Sequence, residues 1–264
     1  MLRTARIRGV WHLARPTFRG LIHTFRGYNP GVLPHEGIEV HRRSVLLTLV
    51  WTIVGLNVGN ALSIAVGADT IASRYLLLPL EGNPSTWFSA VLLALAGTLA
   101  LVVGHARPDR AEWRLVASVL WLLSLDEVAM FHERLGHLPG APGIGSRPWA
   151  GLGVVLVAVV TVRLGRWVLA LEHHLRTALV VGGGLFLGGA VGFEVLSGGR
   201  RAGHGFDLGF WVLASLEENL EMLGALVVVA ALLSVLCGAG GTCTVSFTSE
   251  QQRRSSVGQA GTHG

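Results

Sequence analysis

The sequence predicts an all-α integral membrane protein: a polytopic bundle of six transmembrane helices with both termini cytoplasmic. Three observations predict it. Hydrophobic residues make up 51% of the 264-residue chain and charged residues only 14%, against about 25% charged in an ordinary soluble domain. The apolar residues are gathered into runs of about 20, the length a helix needs to cross a hydrocarbon core. The basic residues, 21 Arg and no Lys, fall mainly at the ends of those runs, between them and in the tails. This composition excludes a soluble enzyme, a nucleic-acid-binding domain and a secreted disulfide scaffold. The expected location is the cell (inner) membrane, crossed several times, with the lipid bilayer as principal partner and no nucleic acid.

Residues 1–43 hold eight Arg and no acidic residue before Glu36. They contain no long apolar stretch, so they are not a secretory signal peptide. Ile7, Trp11, Ala14, Phe18, Leu21 and Phe25 recur at spacings of three and four with Arg between them. That pattern suits a basic amphipathic helix on a membrane surface, with anionic lipid headgroups as its partners. A disordered basic tail is the alternative reading of the same segment.

Residues 44–238 are expected to form the transmembrane domain, with spans near 44–66, 86–105, 113–134, 149–171, 177–198 and 208–237. The fourth is interrupted by Arg163 and Arg166, which can snorkel to an interface. In the fifth, Gly184, Gly188 and Gly192 form a small-xxx-small stripe that lets another helix approach closely. Residues 239–264 are rich in Gly, Ser, Thr and Gln and read as a disordered cytoplasmic tail. Cys237 and Cys243 make neither a zinc pattern nor a disulfide framework and receive no role. With the N-terminus inside, sixteen Arg fall on the cytoplasmic side and five outside, which favours this orientation.

The chemistry lies in the acids. Of sixteen acidic residues, seven lie in or at the ends of apolar segments: Asp126, Glu127, Glu133, Glu194, Glu217, Glu218 and Glu221. Carboxylates in a bilayer are costly, usually face a bundle interior or a wet cavity, and mark function by default. In LEENLEM, Glu217 and Glu221 are four residues apart and Glu218 and Glu221 three, so all three are neighbours on one helix face. In LDEVAMFHERLGH, Asp126 and Glu133 share a face two turns apart. Glu127 and His132 lie about 100° and 120° away from it. Counted at about 1.5 Å per residue, these acids and the polar Asn57 and Asn60 fall at overlapping depths in the outer half of the membrane. That agreement points to one shared cavity, open outward.

Carboxylates with a nearby His are the ligand set of a divalent metal such as Zn, Fe or Mn. The leading expectation is a metal-dependent membrane enzyme acting on a lipid-like substrate. Asp126, Glu133, Glu194, Glu217, Glu218 and Glu221 would supply metal ligands, with His132 and Glu127 as catalytic groups and Asn57 and Asn60 lining the polar cavity. The Glu-x-x-His pair of bundle-core di-metal sites is absent from the chain. A proton- or cation-coupled transporter using the same carboxylates is the first alternative. A structural or assembly protein with paired, helix-locking carboxylates is the second.

The stretch Asp126-Glu127-Val128-Ala129-Met130 is similar to the Asp-Glu-x-Pro-Met segment of the alkaline ceramidases, membrane-embedded zinc amidases of sphingolipids. The likeness covers five residues and lacks the Pro. Glu217 and Glu221 occupy the spacing of that family's His-x-x-x-His, and its Ser-x-x-x-His is missing, so no activity is carried over.

Overall fold

The computed structural model describes residues 38–67, 70–131, 148–238 and 240–245. Among the described residues the fold is all-α apart from one pair of short strands. The helices are α1 (Arg42–Val66), α2 (Ile71–Leu76), α3 (Pro84–His105), α4 (Arg110–Ala129), α5 (Pro148–Ala170), α6 (His173–Leu187), α7 (Glu194–His204) and α8 (Leu208–Cys237). A π-helical turn, Gly188–Phe193, joins α6 to α7 without a break.

Among the described residues, four spans are long and apolar enough to cross a membrane: Arg42–Val66, Pro84–His105, His173–His204 and Leu208–Cys237. The surface agrees with that reading. Trp51, Leu62, Val66 and Val162 are 60–83% exposed, far more apolar surface than a soluble monomer leaves facing water. α4 is not among the four. It carries Arg110, Glu112, Arg114, Asp126 and Glu127 within its 20 residues.

The expected third span, 113–134, is corrected by the backbone. α4 ends at Ala129, and Met130 adopts a left-handed conformation at φ 52° while its N–H caps the Asp126 carbonyl at 2.7 Å. A bulky side chain at positive φ costs about 1–2 kcal/mol, and such strain gathers at functional sites. α3 has a clearer start. Pro84 occupies its first turn, and the Asn83 side chain accepts the backbone N–H groups of Ser85 and Thr86, two of the donors every helix start leaves open.

Residues Leu46–Val235 form one compact unit. Within it, α3 and α4 make an antiparallel hairpin along their whole length. Trp113 lies against Gly104 and Trp121 against Gly97. Near the other end the Ser124 hydroxyl donates to the Ala90 carbonyl at 2.7 Å. A Cβ at Gly104 would overlap that of Trp113, so glycine is what lets the indole seat.

α6 and α8 also run antiparallel at close range. Cβ atoms built at Gly182 and Gly224 would each meet the other's carbonyl oxygen, at 2.7 and 2.5 Å, and one at Gly189 would meet the Glu217 carbonyl at 2.7 Å. This corrects the glycine stripe expected from sequence. Gly184, Gly188 and Gly192 have open space where a Cβ would go. At about 100° per residue, Gly184 points roughly 160° away from the Gly182 face, whereas Gly189 returns to within about 20° of it.

The loops at one end of this unit are bound together. The Arg107 guanidinium pairs with Asp109 and, across 65 residues, with Glu172, each at 3.1 Å. The Trp167 indole donates to Asp109 at 2.7 Å and packs edge-on against Trp113. Hydrogen bonds from Arg107 hold the Glu172 carboxyl below its usual range. Burial pushes Asp109 up, but the Trp167 indole and Arg107 outweigh it and its pKa is lowered.

The described residues before Leu46 and after Val235 form a second unit. Strands β1 (Ile38–His41) and β2 (Thr242–Val245) pair antiparallel, with Val40 opposite Cys243. β2 thus falls inside the stretch that composition assigned to a tail. The two cysteines, given no role from sequence, are joined as a Cys237–Cys243 disulfide. Gly238 and Gly241, at φ 57° and 67°, take the left-handed turns that bring the chain back, a conformation glycine adopts without a steric cost.

Candidate functional site: an acidic cluster

The cluster is built on α8. Its unbroken helical backbone carries Glu217, Glu218 and Glu221 within about one turn, the neighbour spacing expected from sequence. Glu218 lies within electrostatic range of Glu127, Glu217 and Glu81. Glu221 feels Glu218, Glu127, Glu217 and Glu81. Glu127 comes from the last turn of α4, next to the left-handed Met130. All four of the α8 and α4 carboxylates are half-buried.

Glu81 was not anticipated. It lies between α2 and α3 in a Pro-Leu-Glu-Gly-Asn-Pro turn that sequence reasoning passes over as a loop. Two buried asparagines fix that loop. The Asn60 carbonyl oxygen accepts the Leu78 N–H at 3.1 Å, and the Asn83 amide donates to the Leu77 carbonyl at 2.6 Å. The usable signal was the Asn-Pro helix start itself, which sets Glu81 three residues ahead of α3.

Close backbone approach shapes the second side. Gly189, in the π-helical turn, lies against the Glu217 carbonyl and the Glu221 Cγ, leaving no room for a side chain. The Ser197 hydroxyl on α7 donates to Glu217 Oε2 at 3.0 Å. π-helical turns occur preferentially at functional positions, and this one leads directly into Glu194.

The other expected residues are placed as follows. Asp126 and Glu194 are half-buried on α4 and α7. Neither is among the charges acting on Glu218 or Glu221. Asn57 and Asn60 sit on α1 and face α8. Asn57 exchanges amide hydrogen bonds with Asn219, and Asn60 donates to the Ser215 hydroxyl at 2.8 Å. His132 and Glu133 lie outside the described residues. Among the described residues no three His, Cys, Asp or Glu side chains are arranged to hold a metal ion. An open apolar groove of about 510 Å³ is lined by Val157, Ala158, Thr161, Val162, Leu187 and Val191, none of them acidic.

Grouped carboxylates in a poorly polarisable setting cannot all remain charged without a proton, a bound cation or an arginine partner. The arrangement can therefore take up protons or hold a cation through oxygen donors.

A family model described as "Domain of unknown function (DUF8692)" matches residues 44–236. No curated protein and no solved structure is detectably similar to the chain.

Proposed function

The chain belongs to the DUF8692 family, and from that premise we propose a six-span protein of the inner membrane that binds a cation at its acidic cluster. Two things support six spans, and a third the orientation. α4 runs back alongside the whole of α3, so it reaches the same depths. The Arg107–Glu172 pair ties the α3–α4 loop to the α5–α6 loop, so the chain between them crosses an even number of times. Arg107 in the first loop and Arg110, Arg114, Arg163, Arg166 and Arg176 in the adjoining helix ends gather six Arg at this level, which suits the cytoplasmic side, and both termini with it.

The observation that carries the functional reading is that Glu218 and Glu221 on α8 lie within electrostatic range of Glu217 on the same helix, of Glu127 on α4 and of Glu81 ahead of α3. The cation is a proton or a divalent metal ion. A proton would make the site part of a coupled transport cycle. A metal ion would favour the enzyme reading, in which the open apolar groove would take the chain of a lipid-like substrate and His132 would serve as ligand or proton shuttle.

The test compares the detergent-purified protein with a Glu218→Gln/Glu221→Gln variant. Near-stoichiometric Zn, Fe or Mn by plasma mass spectrometry, lost in the variant, is the metal outcome. Absence of metal, with pH-driven proton uptake in proteoliposomes that the variant abolishes, is the proton outcome. Neither signal, in a variant that folds normally, overturns both and leaves carboxylates that only lock helices.

A further inference from the structure

We propose that the start of α4 and the end of α5 form a binding site for the phosphate of an anionic phospholipid headgroup, built by Arg110, Arg114, Arg163 and Arg166. The proposal rests on the membrane reading but not on the acidic cluster. The two helix ends are held side by side by three contacts: Trp113 against Trp167 with ring centroids 5.1 Å apart, Trp167 to Asp109 at 2.7 Å, and Arg163 to Glu112 at 3.9 Å. Arg110 and Arg114 are four residues apart on α4, and Arg163 and Arg166 three apart on α5. Each pair therefore shares a face, and all four residues are exposed.

The charge on this surface is unbalanced. Asp109 and Glu172 are taken up by Arg107. Among the described residues, Glu112 is the acid paired with one of the four arginines, through the long contact to Arg163. Counting Arg107, Arg110, Arg114, Arg163 and Arg166 against Asp109, Glu112 and Glu172, a surplus of two positive charges remains at one helix junction.

Depth selects the ligand. At about 1.5 Å per residue, Arg110 and Arg114 lie within roughly 6 Å of the α4 start, and Arg163 and Arg166 within roughly 10 Å of the α5 end. The headgroup layer is about 5–8 Å thick on each side of the hydrocarbon. The four guanidinium groups therefore reach the level of lipid phosphates, with Arg163 lowest and extending upward along its own stem. Guanidinium forks match phosphate oxygens in geometry as well as charge, and basic sites between transmembrane helices on the cytoplasmic side are places where acidic headgroups bind. Trp113 and Trp167 sit where interfacial aromatics belong.

The experiment is native mass spectrometry of the full chain released from nanodiscs of phosphatidylcholine mixed with phosphatidylglycerol or cardiolipin. The wild type is expected to retain the anionic lipid over phosphatidylcholine. Each Arg→Gln change should lower retention roughly fivefold, and Arg110→Gln/Arg114→Gln/Arg163→Gln/Arg166→Gln should abolish the preference. An Arg200→Gln/Arg201→Gln variant, at the other end of the helical unit, should keep it. Inorganic phosphate at millimolar concentration should not displace the lipid. If the fourfold variant does not fold, the single Arg114→Gln and Arg166→Gln variants carry the comparison. The proposal is overturned if the wild type shows no preference, if the substituted variants retain it, if the Arg200/Arg201 variant loses it equally, or if free phosphate competes fully. Failure of the chain to enter nanodiscs at all would instead overturn the membrane reading.

Discussion

Asn57 on α1 and Asn219 on α8 exchange amide hydrogen bonds in both directions, at 2.7 and 2.9 Å. Each amide also donates to the carbonyl one turn before it, Asn57 to Ile53 and Asn219 to Ser215. Both side chains are therefore satisfied without water, which an apolar surround demands. The pair fixes the rotation of α8 about its axis, and with it the direction in which Glu217, Glu218 and Glu221 project. Asn219→Leu is expected to cost about 1 kcal/mol by leaving the Asn57 amide short of a partner. The Asn57→Leu/Asn219→Leu double variant should cost less than the sum of the two single changes, because no orphan remains. Unfolding with a denaturing detergent measures all three. Simple additivity would show that the reciprocal bond contributes nothing.

The α6–α8 contact makes a sharper demand on particular glycines. A Cβ at Gly224 would lie 2.5 Å from the Gly182 carbonyl oxygen and 2.7 Å from the Phe186 backbone nitrogen. Both neighbours are backbone and cannot swing aside. Gly224→Ala is expected to force the helices apart at about 1–3 kcal/mol, and Gly189→Ala to do likewise against Glu217. Gly184→Ala meets nothing within 4 Å and should be neutral or stabilise slightly, since alanine is the better helix former. The same unfolding assay on the three variants checks this. Equal effects at Gly184 and Gly224 would contradict the packing.

Hydropathy located α1, α3 and α8 almost to the residue, because a long apolar run leaves the backbone only a helix to form. It could not choose between glycine faces on α6. Every third or fourth glycine gives a stripe, and the face used depends on a partner helix distant in sequence. The end of α4 was misplaced because Met130 takes a conformation that side-chain pattern does not encode. In the acidic cluster, the α8 carboxylates were legible from i, i+4 spacing alone. Glu81 was not, because its position depends on a loop tied down by Asn60, 21 residues earlier. The cysteine pair was missed for a similar reason: a four-residue turn with two left-handed glycines and a strand partner at Val40 bring Cys243 back to Cys237.

Arg200 and Asp207 pair at 2.6 Å across the turn between α7 and α8. The Arg200 guanidinium, helped by the Phe210 N–H, holds the Asp207 carboxyl down at about 2, from an ordinary 3.8. A depressed acid contributes stability that is present above its ordinary pKa and lost as pH falls through the folded one. The turn should therefore be intact at pH 4 and loosen as pH falls from about 3.8 towards 2. Both groups are largely exposed, so the effect on global stability is small. A carbon-13 titration of the Asp207 carboxyl in detergent micelles should show a midpoint near 2. Arg200→Gln should raise that midpoint, and an unchanged midpoint would show that the pair does not form in solution.

Cys237 and Cys243, the chain's two cysteines, bear on orientation. The proposed orientation puts both termini in the cytoplasm, where thiols are held reduced and a disulfide is transient. The fold nevertheless brings the two sulfurs to bonding distance, with Cys237 ending α8 and Cys243 laddered to Val40. The two facts agree if the pair is dithiol in cells and closes once the protein is isolated in air. Acid-quenched cells treated with a maleimide polymer should then show both cysteines labelled. Protein purified without reductant should show neither, and a dithiol reductant should restore both labels. Closure of so short a loop removes chain entropy worth about 2 kcal/mol, so amide exchange across Ile38–His41 and Thr242–Val245 should slow when the bond forms. Cysteines already protected in intact cells would place this end of α8 on the oxidising side of the membrane and reverse the orientation drawn from the arginines.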